Sequence, residues 1–249
     1  MKEYYQEGKN GKSILLIHGF GGDIEQIKFI FDYFSKADYS VAIPILHKFS
    51  TREACENQNP EDWLKQISKK ISDLAQKDKE LFLIGYSFGG NLAIHSALEN
   101  KNKIKGIAVI ETPVFFKKFV GRLVFWVIPI LRLFGVRVIK KDRTWYRENY
   151  EEKKDPIPFI PLKVFAWVYN FTKKKTQKEI KKLKTPVLAI QAEKSDLVED
   201  YSAQFIYDGA ASAKKEIFQL ASNSHDINLM DFGDKAEMCR KIEGFFKSI

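Results

Sequence analysis

Six short apolar runs, at about residues 13–17, 40–44, 81–84, 104–110, 187–191 and 215–220, alternate along the chain with amphipathic stretches at about 25–37, 61–76, 89–99, 200–211 and 235–248. Short runs of this kind predict strands, and the longer stretches, with apolar residues on one face, predict helices. Strands alternating with helices predict a mostly parallel sheet covered on both sides. Such sheets gather ligands at the carboxyl ends of their strands, so the residues that follow each run are the ones to search for chemistry.

After the run Leu81-Phe82-Leu83-Ile84 comes Gly85-Tyr86-Ser87-Phe88-Gly89, and then a helical pattern from Gly90. Strand, glycine-flanked serine and helix together make a nucleophile elbow, in which small residues at 85 and 89 let a tight turn expose the Ser87 hydroxyl. Upstream, Ser13-Ile14-Leu15-Leu16-Ile17 ends in His18-Gly19-Phe20-Gly21-Gly22. This loop lacks both the dinucleotide and the phosphate-loop spacings. It suits an oxyanion hole, with the backbone N–H of Phe20 as one donor and that of Phe88 as the other. Gly19 and Gly21 would then lie against the substrate.

A serine hydroxyl needs a base, usually a histidine held by a carboxylate. Of four histidines, His18 ends a strand beside the glycine loop and is expected to orient backbone. His95 lies in a helix, and His47 sits in the loop after Val41-Ala42-Ile43-Pro44. His225, in Ser224-His225-Asp226 after the last strand, is the expected base. For the acid, Asp196 at the end of Ala192-Glu193-Lys194-Ser195-Asp196 is chosen over Glu193 in the same loop and over Glu111, which ends the strand Ile107-Ala108-Val109-Ile110.

The order Ser87, Asp196, His225 is that of α/β-hydrolases. The chain resembles this superfamily, and within it the small bacterial carboxylesterases and monoacylglycerol lipases. The likeness rests on the glycine loop, the elbow, Asn59-Pro60-Glu61-Asp62-Trp63, Asp196-Leu197-Val198 and Ser224-His225-Asp226-Ile227. It implies an α/β-hydrolase fold and hydrolysis of short- to medium-chain carboxylic esters or monoacylglycerols through an acyl-enzyme, without metal or organic cofactor. The same triad also serves thioesterases, acyltransferases and carbon–carbon bond hydrolases, and a fold that has lost its triad can serve as a binding module. The chain departs from the resemblance in Leu46-His47-Lys48-Phe49-Ser50, where a Gly-His-Gly is common, and in its unusual middle segment.

That segment divides the expected core, residues 1–112 and 186–249, by a cap insertion over 113–185. Within it, residues 117–143 carry eight basic side chains against Asp142 alone, a net +7 of the whole chain's +9. Interleaved apolar residues include Phe115, Phe116, Phe125 and Trp126, of which Phe115 and Trp126 are expected to line the acyl pocket. Basic and apolar residues mixed in this way suit two readings: a cap whose apolar face roofs the acyl pocket while its lysines and arginines face water, and contact with an anionic membrane surface. The uninterrupted apolar part, Leu123 to Leu131, is far shorter than the roughly 20 residues of a membrane span.

The remaining composition narrows the classes. With 249 residues, 45% of them hydrophobic, the chain fits one large domain and not a disordered segment. Two cysteines and no apolar leader predict a cytoplasmic protein without a disulfide framework. The basic balance has no nucleic-acid reading motif, so no nucleic-acid partner is expected.

Overall fold

The computed structural model describes residues 4–22, 24–46, 52–140 and 159–249. Its strands in chain order are β1 (Tyr4–Gln6), β2 (Lys12–Ile17), β3 (Ser40–Ile43), β4 (Glu80–Tyr86), β5 (Gly106–Ile110), β6 (Val138–Lys140), β7 (Phe159–Pro161), β8 (Val187–Ala192) and β9 (Lys215–Leu220). Seven of them form one sheet in the order β1-β3-β2-β4-β5-β8-β9. All its pairings are parallel except that of β1 with β3. This is the α/β-hydrolase fold, and the six expected strands are all in it. The short edge strand β1 is an addition, and its three exposed residues carry no apolar run by which to find it.

The central strands are continuously apolar because helices cover both faces of the sheet. Leu15, Ile17, Leu83, Ile107, Val109 and Ala189 pack toward one layer. Their neighbours Ile14, Leu16, Phe82, Ile84, Ala108 and Leu188 pack toward the other. The helices in chain order are α1 (Lys28–Lys36), α2 (Arg52–Glu56), α3 (Pro60–Lys77), α4 (Phe88–Glu99), α5 (Lys118–Arg122), α6 (Ile128–Leu133), α7 (Leu162–Phe171), α8 (Gln177–Glu179), α9 (Ser202–Gly209) and α10 (Phe232–Lys247). Residues of α3, α4 and α9 join the first layer and those of α1 and α10 the second.

The start of α3 shows how local sequence sets an element. Asn59 caps it by accepting from the Glu61 N–H at 3.3 Å, Pro60 fills the first turn, and Trp63 turns into the core.

Between β5 and β8 the chain leaves the sheet. Helix α5 runs through a π turn, Leu123–Val127, into α6, and α7 runs through a second, Thr172–Thr176, into α8. Strands β6 and β7 pair antiparallel beside them. The stripe Val124, Ile128 is buried against Leu162, Phe165 and Tyr169 of α7. Polar links tie α7 and its extension to the core: Thr176 Oγ1 donates to Asn91 Oδ1 at 2.7 Å, and Gln177 Nε2 to the Val114 carbonyl at 2.7 Å. His47 and its loop, and Lys141, Asp142 and Arg143 of the basic cluster, lie outside the described residues.

Candidate active site

Ser87 stands between β4 and α4 with φ 53°, the left-handed region that a side chain other than glycine rarely adopts. Strain of this kind persists only where surroundings enforce it. Here the Ser87 N–H donates to the Ile110 carbonyl at 2.8 Å, and the glycines are sterically required. A Cβ on Gly85 would run into the Gly89 carbonyl, and one on Gly89 into the Ile17 carbonyl. The elbow therefore closes only on bare backbone, pressed against the end of β2.

The glycine loop after β2 reaches the same point. A Cβ on Gly19 would sit 3.0 Å from Ser87 Cβ and 3.5 Å from its Oγ, so loop and nucleophile are in contact. Gly21 has φ 69° and turns the loop, closed by the Gly22 N–H on the Gly19 carbonyl at 3.3 Å. His18 Nδ1 lies 3.0 Å from the Gly19 carbonyl. Burial pushes the His18 pKa down to about 4, so its ring is neutral and Nδ1–H donates to that carbonyl. The first amides of a helix lack intrahelical acceptors, which gives Phe88, the first residue of α4, the right position for an oxyanion donor.

His225 Nε2 lies 2.8 Å from Ser87 Oγ. The imidazole is held from every side. Its Nδ1 is 3.0 Å from Glu111 Oε2, its main-chain N–H donates to Asp196 Oδ1 at 2.8 Å, and its carbonyl accepts from the Tyr86 hydroxyl at 2.9 Å. The Tyr86 ring also stacks on the imidazole, with centroids 5.6 Å apart and planes 25° apart.

The sequence expectation of Asp196 against the imidazole is therefore corrected: Asp196 holds the backbone of His225, and Glu111 faces its ring. The physical reason lies in where the two strands end. Glu111 leaves β5 with φ 48° and is fully buried, aimed along the strand ends toward His225. Asp196 sits on an exposed loop beyond β8 and reaches only main chain. Sequence reasoning also passed over Tyr86, the variable residue of the elbow. A tyrosine that completes a buried strand is the signal that was present, since its hydroxyl must find a partner.

The roof over the site is aromatic, and it comes from α7. Phe20 packs on Phe165 at 5.9 Å and on Trp63 at 6.5 Å. Phe88 packs edge-on against Trp167 at 5.9 Å and Phe171 at 5.6 Å. Of the two cap residues expected at the acyl pocket, Phe115 packs on Tyr201 and Phe205 and lines, with Phe125, Lys173 and Lys174, an open cleft of about 570 Å³ whose lining includes neither Ser87, His225 nor the glycine loop. Trp126 is corrected: it is 72% exposed on the outer surface of the cap, because Val124 and Ile128 claim the face of that helix that packs inward. His95 packs on Phe171 at 5.4 Å.

The serine aminopeptidase S33 family matches residues 8–230. The thermostable monoacylglycerol lipase of Bacillus sp. (strain H-257) is 26% identical over 245 residues, 98% of this chain and 93% of that protein. Among solved structures, one from work on the metagenome-derived lipolytic enzymes LipS and LipT superposes with a TM-score of 0.83 at 22% identity, covering 100% of this chain and 98% of that one. A soluble variant of the Saccharomyces cerevisiae monoglyceride lipase, solved with a substrate analogue, gives 0.80 at 17% identity, covering 98% and 89%.

Proposed function

This chain belongs to the serine aminopeptidase S33 family of α/β-hydrolases, and we propose that it is a lipase- or esterase-type serine hydrolase acting on short- to medium-chain carboxylic esters, monoacylglycerols among them. The observation that carries the reading is the 2.8 Å approach of His225 Nε2 to Ser87 Oγ at a strained, glycine-enforced elbow. His225 takes the serine proton as Oγ attacks the ester carbonyl. The N–H groups of Phe20 and Phe88 stabilise the resulting oxyanion, a contribution of about 2.7–4 kcal/mol per donor in related chemistry. The alcohol leaves with the proton from His225, and water then releases the acid by the same route.

Apolar acyl chains suit the aromatic cluster that Phe165 and Trp167 of the roof form with Phe20, Trp63 and Phe88, and the two lipases this chain resembles are named for monoacylglycerols. The experiment is a rate series on p-nitrophenyl esters from acetate to laurate and on monoacylglycerols, beside an aminoacyl p-nitroanilide. Turnover of esters with an optimum in acyl length supports the reading. Turnover of the anilide alone makes the protein a peptidase and ends it.

The reading extends to an anionic membrane surface as partner. Among the described residues no helix is long and apolar enough to cross a membrane. Yet the α5–α6 helix has a second apolar stripe that the described residues leave largely exposed: Phe119, Trp126, Ile130, Leu133 and Phe134, with Leu133 at 83%. Exposed Lys118, Arg122 and Arg132 interleave with it. An apolar ridge set among cations complements an anionic lipid interface. Cosedimentation with anionic against neutral vesicles tests this, and equal binding to both removes it. A cytoplasmic location also belongs to the proposal, supported by Cys239, a buried free thiol.

A further inference from the structure

Two carboxylates touch His225, and they touch it differently. Asp196 Oδ1 accepts the main-chain N–H at 2.8 Å, from a loop exposed to solvent. Glu111 is fully buried, and each of its oxygens has a fixed partner: Oε1 accepts from the Ala192 N–H at 2.5 Å, and Oε2 lies 3.0 Å from His225 Nδ1. Its own N–H is tied to the Ile190 carbonyl at 2.8 Å. Resting on the serine hydrolase reading above, we propose that Glu111 is the positioning carboxylate of the relay, setting the His225 tautomer and stabilising its charged form, while Asp196 tethers the backbone that carries the ring.

Two physical arguments separate the carboxylates. A buried charge is tolerated only when paired and hydrogen-bonded, so an apolar strand that ends in a fully buried glutamate needs a donor on each oxygen, and the imidazole is the second donor. Charge interaction is also stronger where water is excluded, so a buried Glu111 stabilises a transient imidazolium more than an exposed Asp196 does. The proton balance is simple. In the resting enzyme Nδ1–H donates to Glu111 Oε2, which leaves Nε2 as acceptor for the Ser87 hydroxyl. When Oγ attacks, the proton moves to Nε2 and the ring becomes cationic. The proton passes only between Ser87 Oγ and His225 Nε2, and Nδ1 keeps its own. Tyr86 completes the cradle without competing for Nδ1, since its hydroxyl is spent on the His225 carbonyl.

The test compares Glu111→Gln, Glu111→Asp and Asp196→Asn. Proton NMR of the whole protein reads the far-downfield Nδ1–H resonance of a carboxylate-bound histidine, and steady-state kinetics on the best ester reads kcat and KM. Glu111→Gln, nearly isosteric and still able to accept from Ala192, is expected to lose the resonance and to lower kcat by about 10³- to 10⁴-fold with little change in KM. Glu111→Asp, which restores the charge, is expected to recover part of that loss. Asp196→Asn keeps the resonance and loses about tenfold, the scale of one hydrogen bond to a charged group. The proposal is overturned if Asp196→Asn abolishes the resonance while Glu111→Gln keeps it, or if Asp recovers nothing over Gln at position 111. The resonance needs no substrate, so an incorrect ester assignment leaves this test standing.

Discussion

The Tyr86 hydroxyl donates to the His225 carbonyl at 2.9 Å while its ring lies along the imidazole, so the residue directly before the nucleophile holds the base. Burial raises the phenol pKa well above its ordinary value, which keeps the hydroxyl protonated and donating at any working pH. Tyr86→Phe keeps the stack and removes the hydrogen bond. The expected result is a several-fold lower kcat, unchanged KM, and a stability loss of about 1 kcal/mol, read by esterase kinetics and urea unfolding.

Gly89→Ala places a methyl group into the Ile17 carbonyl at the end of β2. Backbone cannot yield there without moving β2 away from β4, and the two are paired over six residues. The variant is expected to be insoluble, or to lose several kcal/mol of stability together with all serine labelling. A soluble, active Gly89→Ala protein would show that the elbow has more room than this geometry allows.

The outer ridge of the cap separates lipid contact from chemistry. Replacing Trp126 and Leu133 together by serine is expected to leave hydrolysis of a soluble ester unchanged, since neither packs on the aromatic roof. Binding to anionic vesicles should fall by more than tenfold, in keeping with loss of two large apolar anchors. A double variant that still binds such vesicles as the wild type does would count against the ridge.

His18 gives the fold an acid limit. Well above pH 6.5, its ordinary value, the ring is neutral in both the folded and the unfolded chain and contributes no pH dependence. Below that value the unfolded chain takes up a proton that the folded chain refuses until about pH 4. Stability is therefore expected to fall as pH drops through this window, with His18 accounting for up to about 3 kcal/mol. Urea unfolding across the window checks it. His18→Gln should show a shallower slope, and an identical slope would contradict the assignment.

Much of this was readable beforehand because it depends on local pattern. Buried strands are continuous apolar runs, and Ser87 and His225 follow two of them. Which carboxylate faces Nδ1 was not readable, because Glu111 and Asp196 both follow strands at the same sheet edge and only side-chain direction and burial distinguish them. One signal was available: a glutamate closing the apolar strand Gly106–Ile110 has to find partners inside the protein. The roof was misread for a related reason. The residues around 119–134 carry two apolar stripes, and periodicity alone cannot say that Val124 and Ile128 face α7 while Trp126 faces out.

The most direct test of the central claim is intact-mass and peptide analysis after reaction with a fluorophosphonate. One adduct per chain, on the peptide that contains Ser87, is expected in the wild type, with none in Ser87→Ala and a strongly slowed reaction in His225→Ala. Adduct on another residue, or undiminished labelling of Ser87→Ala, would contradict Ser87 as the nucleophile and the hydrolase account built on it.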